Sequence, residues 1–146
     1  MTRYYEDIEE GSVEHVGSTT VSEADIVAFA ERYDPQPFHV DPEAAESTPY
    51  GGLIASGWHT ACLCMRLVVD GVLDGAVTYG SFGLDELRWK NPVRPGDTID
   101  VEHRVVSKRV SESRDDRGYV ETEVTGHVDD DEVLYWRATV IFGRRD

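Results

Sequence analysis

Apolar positions in "VSEADIVAFAERYD" recur at Ile26, Phe29, Ala30 and Tyr33, the i, i+3, i+4, i+7 spacing of one helix face. Ser22 can cap that helix, with Asp25 three residues on as a short form of the capping box. Pro35 biases Asp34 away from helical angles, so the helix should end at Asp34. A second short helix can start at Pro42 with Asp41 as its cap. From Trp58 to Val69 the chain is apolar almost all round, Arg66 excepted, which predicts a buried helix. "YGG" and "SG" ahead of it supply a flexible entry.

The second half changes period. "SFGLDELRWKNPV", "DTIDVEHRVVSKRVS", "GYVETEVTGHV" and "EVLYWRATVIFG" alternate, and "RPGD", "RDDRG" and "DDDE" supply turns between them. An earlier strand is expected across "EHVGSTTV". The layout is α+β: a curled antiparallel sheet wrapped around one central apolar helix, the hot-dog arrangement, in a single domain spanning residues 1–146. Such a sheet leaves edges, and pairing two of them would manage that liability, so a homodimer or higher homo-oligomer is expected.

Charge narrows the partners. Lys and Arg total 14 against 29 Asp and Glu, a formal net charge of −15. A basic stripe for nucleic acid is not expected. No apolar run approaches the roughly 20 residues of a membrane span, and "MTRYYEDIEEG" lacks the apolar middle of a secretory signal, so a cytoplasmic protein is expected. A surface this acidic, with Lys90 and Lys108 as its two lysines, resembles proteins of salt-loving microbes. Cys62 and Cys64 would point about 200° apart on a helix and are expected to be two small buried hydrophobes.

The candidate chemistry begins in "ERYDPQPFHVDPEAA". A carboxylate and an imidazole can together activate a water and shuttle a proton. Pro35 and Pro37 stiffen the loop and can fold it back, bringing Asp34 and His39 to one spot. The other reading is a stiff turn in which Asp34 ends a helix and His39 packs on Phe38. A metal site through Asp34, His39 and Asp41 would need ligands from elsewhere, and no metal is expected. Gly57, at the mouth of the buried helix, can admit a substrate to a helix N-terminus. An enolate oxygen would be stabilised there as in an oxyanion hole. His15, His103 and His127 lie in or beside strands and are expected at the surface or an edge; the direction of His59 is undecided.

"DPQPFH" from Asp34 to His39, "GGLIASGWHT" from Gly51 to Thr60 and "ELRWKNPVRPGDT" from Glu86 to Thr98 together resemble the MaoC-like acyl dehydratases, relatives of the (R)-specific enoyl-CoA hydratases. The resemblance runs from about Tyr5 to Phe142. It implies a hot-dog homodimer, an acyl-CoA thioester as ligand, no metal or redox cofactor, and reversible addition of water across the C2–C3 double bond of a trans-2-enoyl thioester. By position, Asp34 and His39 would be the acid–base pair and the Gly57 amide would bind the thioester oxygen. Gln36, Phe38, Ser56, Trp58 and Arg94 are the expected substrate contacts, with Arg88, Lys90 and Arg94 as candidates for the CoA phosphates. Trp58 would narrow a tunnel beside the helix and favour a short or branched acyl group. Two positions depart from the pattern: Gln36 stands where Asn is common, and Ser56 where His is common. An orienting serine of some hydratases falls near Met65. A hot-dog thioesterase and a non-catalytic acyl-binding subunit are the rival readings.

Overall fold

The computed structural model describes residues 1–145. Strands β1 (Val13–Thr20), β2 (Thr78–Arg88), β3 (Thr98–Val110), β4 (Arg117–Val128) and β5 (Asp131–Gly143) form one antiparallel sheet in the order β1-β3-β4-β5-β2. Between β1 and β2 come helices α1 (Glu23–Tyr33), α2 (Pro37–Val40), α3 (Pro42–Glu46) and α4 (Gly57–Val68), the last continued by a π-helical turn over Val69–Leu73. This is the α+β hot-dog architecture, with the alternating half of the chain supplying the wrap and α4 lying inside it.

Period two puts every other strand residue inward. On β3, Ile99, Val101, His103 and Val105 are buried; on β4, Val120, Thr122 and Val124 are. Each fully buried Val or Ile among them contributes about 1.5–3 kcal/mol relative to exposure. Helix α4 reaches the sheet closely at Gly126, where an added Cβ would stand 3.2 Å from Cys64 Sγ and from Ile99 Cγ2. β4 and β5 are joined at Asp129 and Asp130, and Asp129 takes a positive φ of 53°, which a short polar side chain tolerates in a tight hairpin.

Five expectations change. Of the α1 face, Ile26 and Ala30 are buried, but Tyr33, in the last turn of α1, is 63 % exposed. The stretch before His39 is not all loop: Pro37 opens the short helix α2, which carries His39 inward. Helix α4 is buried on one side only. His59, Thr60, Cys64 and Val68 are buried, His59 against Phe29 of α1 and Cys64 close to the sheet, while Trp58, Met65 and Val69 are exposed, because the sheet and α1 cover only part of the helix circumference. Cys62 goes with the exposed side, and only Cys64 is buried, its thiol pushed up to about 12 by desolvation. His103 is not at the surface; it is 5 % exposed, in phase with the apolar residues of β3.

The two sheet edges differ. β1 pairs regularly with β3 apart from one shift near Gly17. β2 shifts register against β5 three times and carries exposed Tyr79, Phe82 and Leu84.

Candidate active site

Helix α1 delivers the carboxylate. The Asp34 amide donates to the Ala30 carbonyl, closing the helix, and Pro35 has no N–H with which to continue it. The chain turns at once: the Gln36 amide donates to the Asp34 carbonyl at 2.8 Å, and Pro37 starts α2. One turn later His39 is buried beneath the turn, its ring edge-on to Phe38 at 4.4 Å between centroids. The incoming strand-like segment before α4 is stitched to both sides, with the Ile54 amide donating to Phe38 O and the Ala55 amide to Val93 O.

These constraints leave little freedom at Asp34 and His39. His39 Nδ1 lies 2.7 Å from the Ile54 carbonyl oxygen. A carbonyl only accepts, so Nδ1 carries the proton and donates, and Nε2 is left with its lone pair in the neutral ring. That Nε2 stands 3.4 Å from Asp34 Oδ2. Asp34 is held on both oxygens: Ser56 Oγ donates to Oδ2 at 2.7 Å and Gln36 Nε2 donates to Oδ1 at 2.7 Å. The Ser56 hydrogen bond is the main reason the Asp34 carboxyl sits below the usual carboxylate range, followed by the Gln36 bond and the nearby His39; partial burial opposes them. Asp34 is therefore ionised at neutral pH with one lone pair on each oxygen still free.

Ser56 links this pair to α4. It is fully buried and caps the helix, its Oγ accepting from the Trp58 amide at 3.3 Å while donating to Asp34. The first helical residue is Gly57, whose amide finds no acceptor among the described residues. A methyl at Gly57 would stand 2.3 Å from Trp89 Cδ2, so glycine is needed there for close approach by an aromatic ring of the same chain. The pair and Gly57 border one cavity of about 540 Å3, within the range of small-molecule sites. Its walls include Phe38, Tyr50, Thr60, Trp89 and Lys90.

Asp34, His39, Gly57, Gln36, Phe38 and Trp58 are thus brought together at this cavity. Other expected contacts are not. Ser56 lies beneath Asp34 and offers its hydroxyl to the carboxylate, not to a ligand. Arg94 braces the loop opposite, donating to the Tyr50 carbonyl at 2.7 Å, and Arg88 pairs with Glu86. Of the three candidate phosphate cations only Lys90 lines the cavity, and it is paired with Glu132. Trp58 does not narrow a tunnel beside the helix: it is 56 % exposed at the mouth, edge-on to Trp89 at 5.1 Å between centroids. Trp89 and Thr60 were missed as site residues. Trp89 stands inside the "ELRWKNPV" stretch, and Thr60 three residues beyond Gly57 falls on the same side of a helix, which is the signal that could have found it. His59 points elsewhere, stacked on Phe29 of α1 at 4.8 Å, its Nδ1 buried and without a hydrogen-bond partner among the described residues.

Residues 6–128 match the family described as MaoC like domain. The chain is 33% identical over 105 residues to the (R)-specific enoyl-CoA hydratase of Rhodospirillum rubrum, covering 68% of this chain and 67% of that protein. It is 34% identical over 103 residues to the 3-hydroxybutyryl-CoA dehydratase of Methylorubrum extorquens, covering 70% of this chain and 63% of that one. Both matches thus span about two thirds of the relative's length. Among solved structures, the MaoC-like dehydratase of Rhodospirillum rubrum superimposes with a TM-score of 0.87 at 40% identity, over 99% of each chain. With its fold and the greater part of its length in common with these proteins, the chain belongs to the MaoC-like domain family.

Proposed function

We propose that the protein is a hydratase/dehydratase acting on enoyl thioesters of coenzyme A, with Asp34 and His39 as its acid–base pair and no metal or redox cofactor. The observation that carries this reading is the disposition of the two groups. Ile54 O fixes the tautomer of the neutral His39 ring, which turns the Nε2 lone pair toward Asp34 Oδ2 across 3.4 Å. Two acceptors this close are best bridged by a donor with two hydrogens, and a water molecule fits that need.

In the hydration direction that water gives its oxygen to C3 of the enoyl group. One of its protons passes to the pair, and the pair returns a proton to C2, so H and OH add across the double bond and the site is restored. Negative charge gathers on the thioester oxygen during attack. The free Gly57 amide at the start of α4 is placed to receive it, with the helix dipole in support. The names of the relatives support this reaction class.

The functional unit in this reading is a homodimer paired through β2. Phe82 is 70 % exposed on that strand, and Tyr79, Leu84, Met65 and Val69 add apolar surface on β2 and α4. A second copy would cover them and retire the free edge. Sedimentation velocity should give twice the mass of the 16.4 kDa chain, and a monomer at micromolar concentration overturns this part.

Purified protein mixed with crotonyl-CoA and longer enoyl-CoAs at high salt tests the activity. Loss of the conjugated thioester absorbance without thiol release is the expected result. Release of free thiol would establish the thioesterase instead, and binding without turnover the non-catalytic subunit.

A further inference from the structure

A second cavity, of about 180 Å3, lies between the C-terminal half of α4 and the sheet. Met65 and Val68 form its helix side, and Trp136, Ala138 and Phe142 of β5 its far wall. Into this apolar space projects the imidazole of His103, 95 % buried. No hydrogen bond to its ring exists among the described residues. A buried imidazole that borders a cavity without a protein partner has hydrogen-bonding capacity left for whatever enters that cavity. Burial holds the ring's pKa below the ordinary value, with Glu14 working against that and Arg3 with it, so the ring is neutral and offers one donor and one acceptor. A hydroxyl nearby, Thr122 Oγ1, is spent as a donor on the Ala138 carbonyl at 3.2 Å but keeps its capacity to accept.

The position of this cavity relates it to the acid–base site. At 100° per residue, Gly57, Met65 and Val68 fall within about 80° of one another around α4, so both cavities open on the same side of the helix. Eight residues separate Gly57 from Met65, about 12 Å along the axis at 1.5 Å per residue. β5 runs past both, with Val133 at the first and Trp136 at the second. A chain whose thioester oxygen rests at the Gly57 amide and whose tail follows α4 would end at His103.

We propose that His103 is a specificity-determining residue, and that the substrate is an acyl thioester whose chain bears a neutral hydroxyl near its far end. This rests on the enoyl-thioester reading above. The hydroxyl would accept from the donor nitrogen of His103 and donate to Thr122 Oγ1. An unsubstituted alkyl tail would leave the imidazole unpaired. A terminal carboxylate would meet no cation among the residues lining the cavity.

Saturated acyl-CoAs cannot be hydrated, so they separate recognition from chemistry. Octanoyl-, decanoyl- and dodecanoyl-CoA and their ω-hydroxy counterparts are titrated calorimetrically into the wild-type protein, into His103→Leu and into His103→Gln. The wild type should bind one ω-hydroxy compound about tenfold more tightly than its alkyl counterpart. His103→Leu should abolish that preference and His103→Gln should keep part of it. Equal affinities at every length in the wild type, or a preference that survives in His103→Leu, would overturn the proposal; the wild-type comparison decides even where a variant fails to fold. Hydration of crotonyl-CoA without any hydroxyl preference sinks this inference alone. A hydroxyl preference without hydration sinks the activity reading alone.

Discussion

Helix α4 has a histidine near each end of its buried side, and the two are treated in opposite ways. At the N-terminal end His39 is wired: one nitrogen is tied to a backbone oxygen, the other faces a carboxylate that is itself held twice. At the other end His103 borders a mostly apolar cavity, and no hydrogen bond to its ring exists among the described residues. A fixed tautomer suits proton transfer, since it leaves a lone pair aimed at one place. A bare imidazole suits recognition, since whatever fills the cavity must complete it. The same side chain, equally buried, therefore carries two different expectations.

The largest effect should come from cutting the wired end. Asp34→Asn and His39→Ala should each lower turnover about 10²-fold or more while leaving the melting temperature near that of the wild type. Near-normal steady-state rates in both would reject the assignment, and with it the contrast. Ser56→Ala comes next, at about tenfold in kcat. The Ser56 hydrogen bond is the leading cause of the low Asp34 pKa, so its removal moves that pKa upward and the acid limb of the pH–rate profile to higher pH. Loss of the helix cap should also cost about 1 kcal/mol, read by denaturant titration.

Gly57→Ala tests the mouth itself. Its methyl would collide with Trp89, so a loss of about 1–3 kcal/mol in chemical unfolding is expected, and Trp89→Ala in the same chain should return most of it. The smallest effect separates the histidines by stability alone. His59 and His103 both have pKa values lowered mainly by burial. For each, the unfolded chain binds the proton more readily, so stability should decline as pH falls below about 6.5, the unfolded value. Asp25 moderates this at His59 and Glu14 at His103. Replacing His59 with Phe, which keeps the stack on Phe29, should flatten the decline measured by melting temperature between pH 7 and pH 5. Asp34 works in a lower window: its contribution is present above about pH 3.9 and fades as pH falls through its depressed folded value.

The elements of the fold were open to reading because their periods are clean. β4 alternates along nearly its whole length and β3 from Thr98 to Val105, and Ser22 and Asp41 cap the helices expected of them. His103 was misjudged although its signal was present: it keeps phase with Ile99, Val101 and Val105, and the phase of a strand outweighs the polarity of one residue. The exposed half of α4 was not legible, since an apolar helix face reads the same whether a sheet or a second copy covers it. In the site, the carboxylate and imidazole were found from their spacing and prolines together with the family pattern. Ser56 was not understood, because its service to Asp34 joins residues 22 apart and depends on how α1 and α4 meet. It stands where His is common in the family pattern, whereas the orienting serine expected to be missing falls near Met65.

The partner of His39 Nδ1 is a peptide oxygen, that of Ile54. Side-chain replacement does not delete such an atom. A scan that truncates each residue in turn would pass over one of the determinants of the imidazole's orientation and register Ile54 merely as a buried aliphatic. The carbonyl keeps its place so long as the segment keeps its two ties, to Phe38 and to Val93, and holds its course past the ring. Engineering of this site therefore has to treat the path of residues 53–55 as a functional group in its own right, to be altered by backbone ester chemistry or by insertion and deletion, where ordinary mutagenesis is blind.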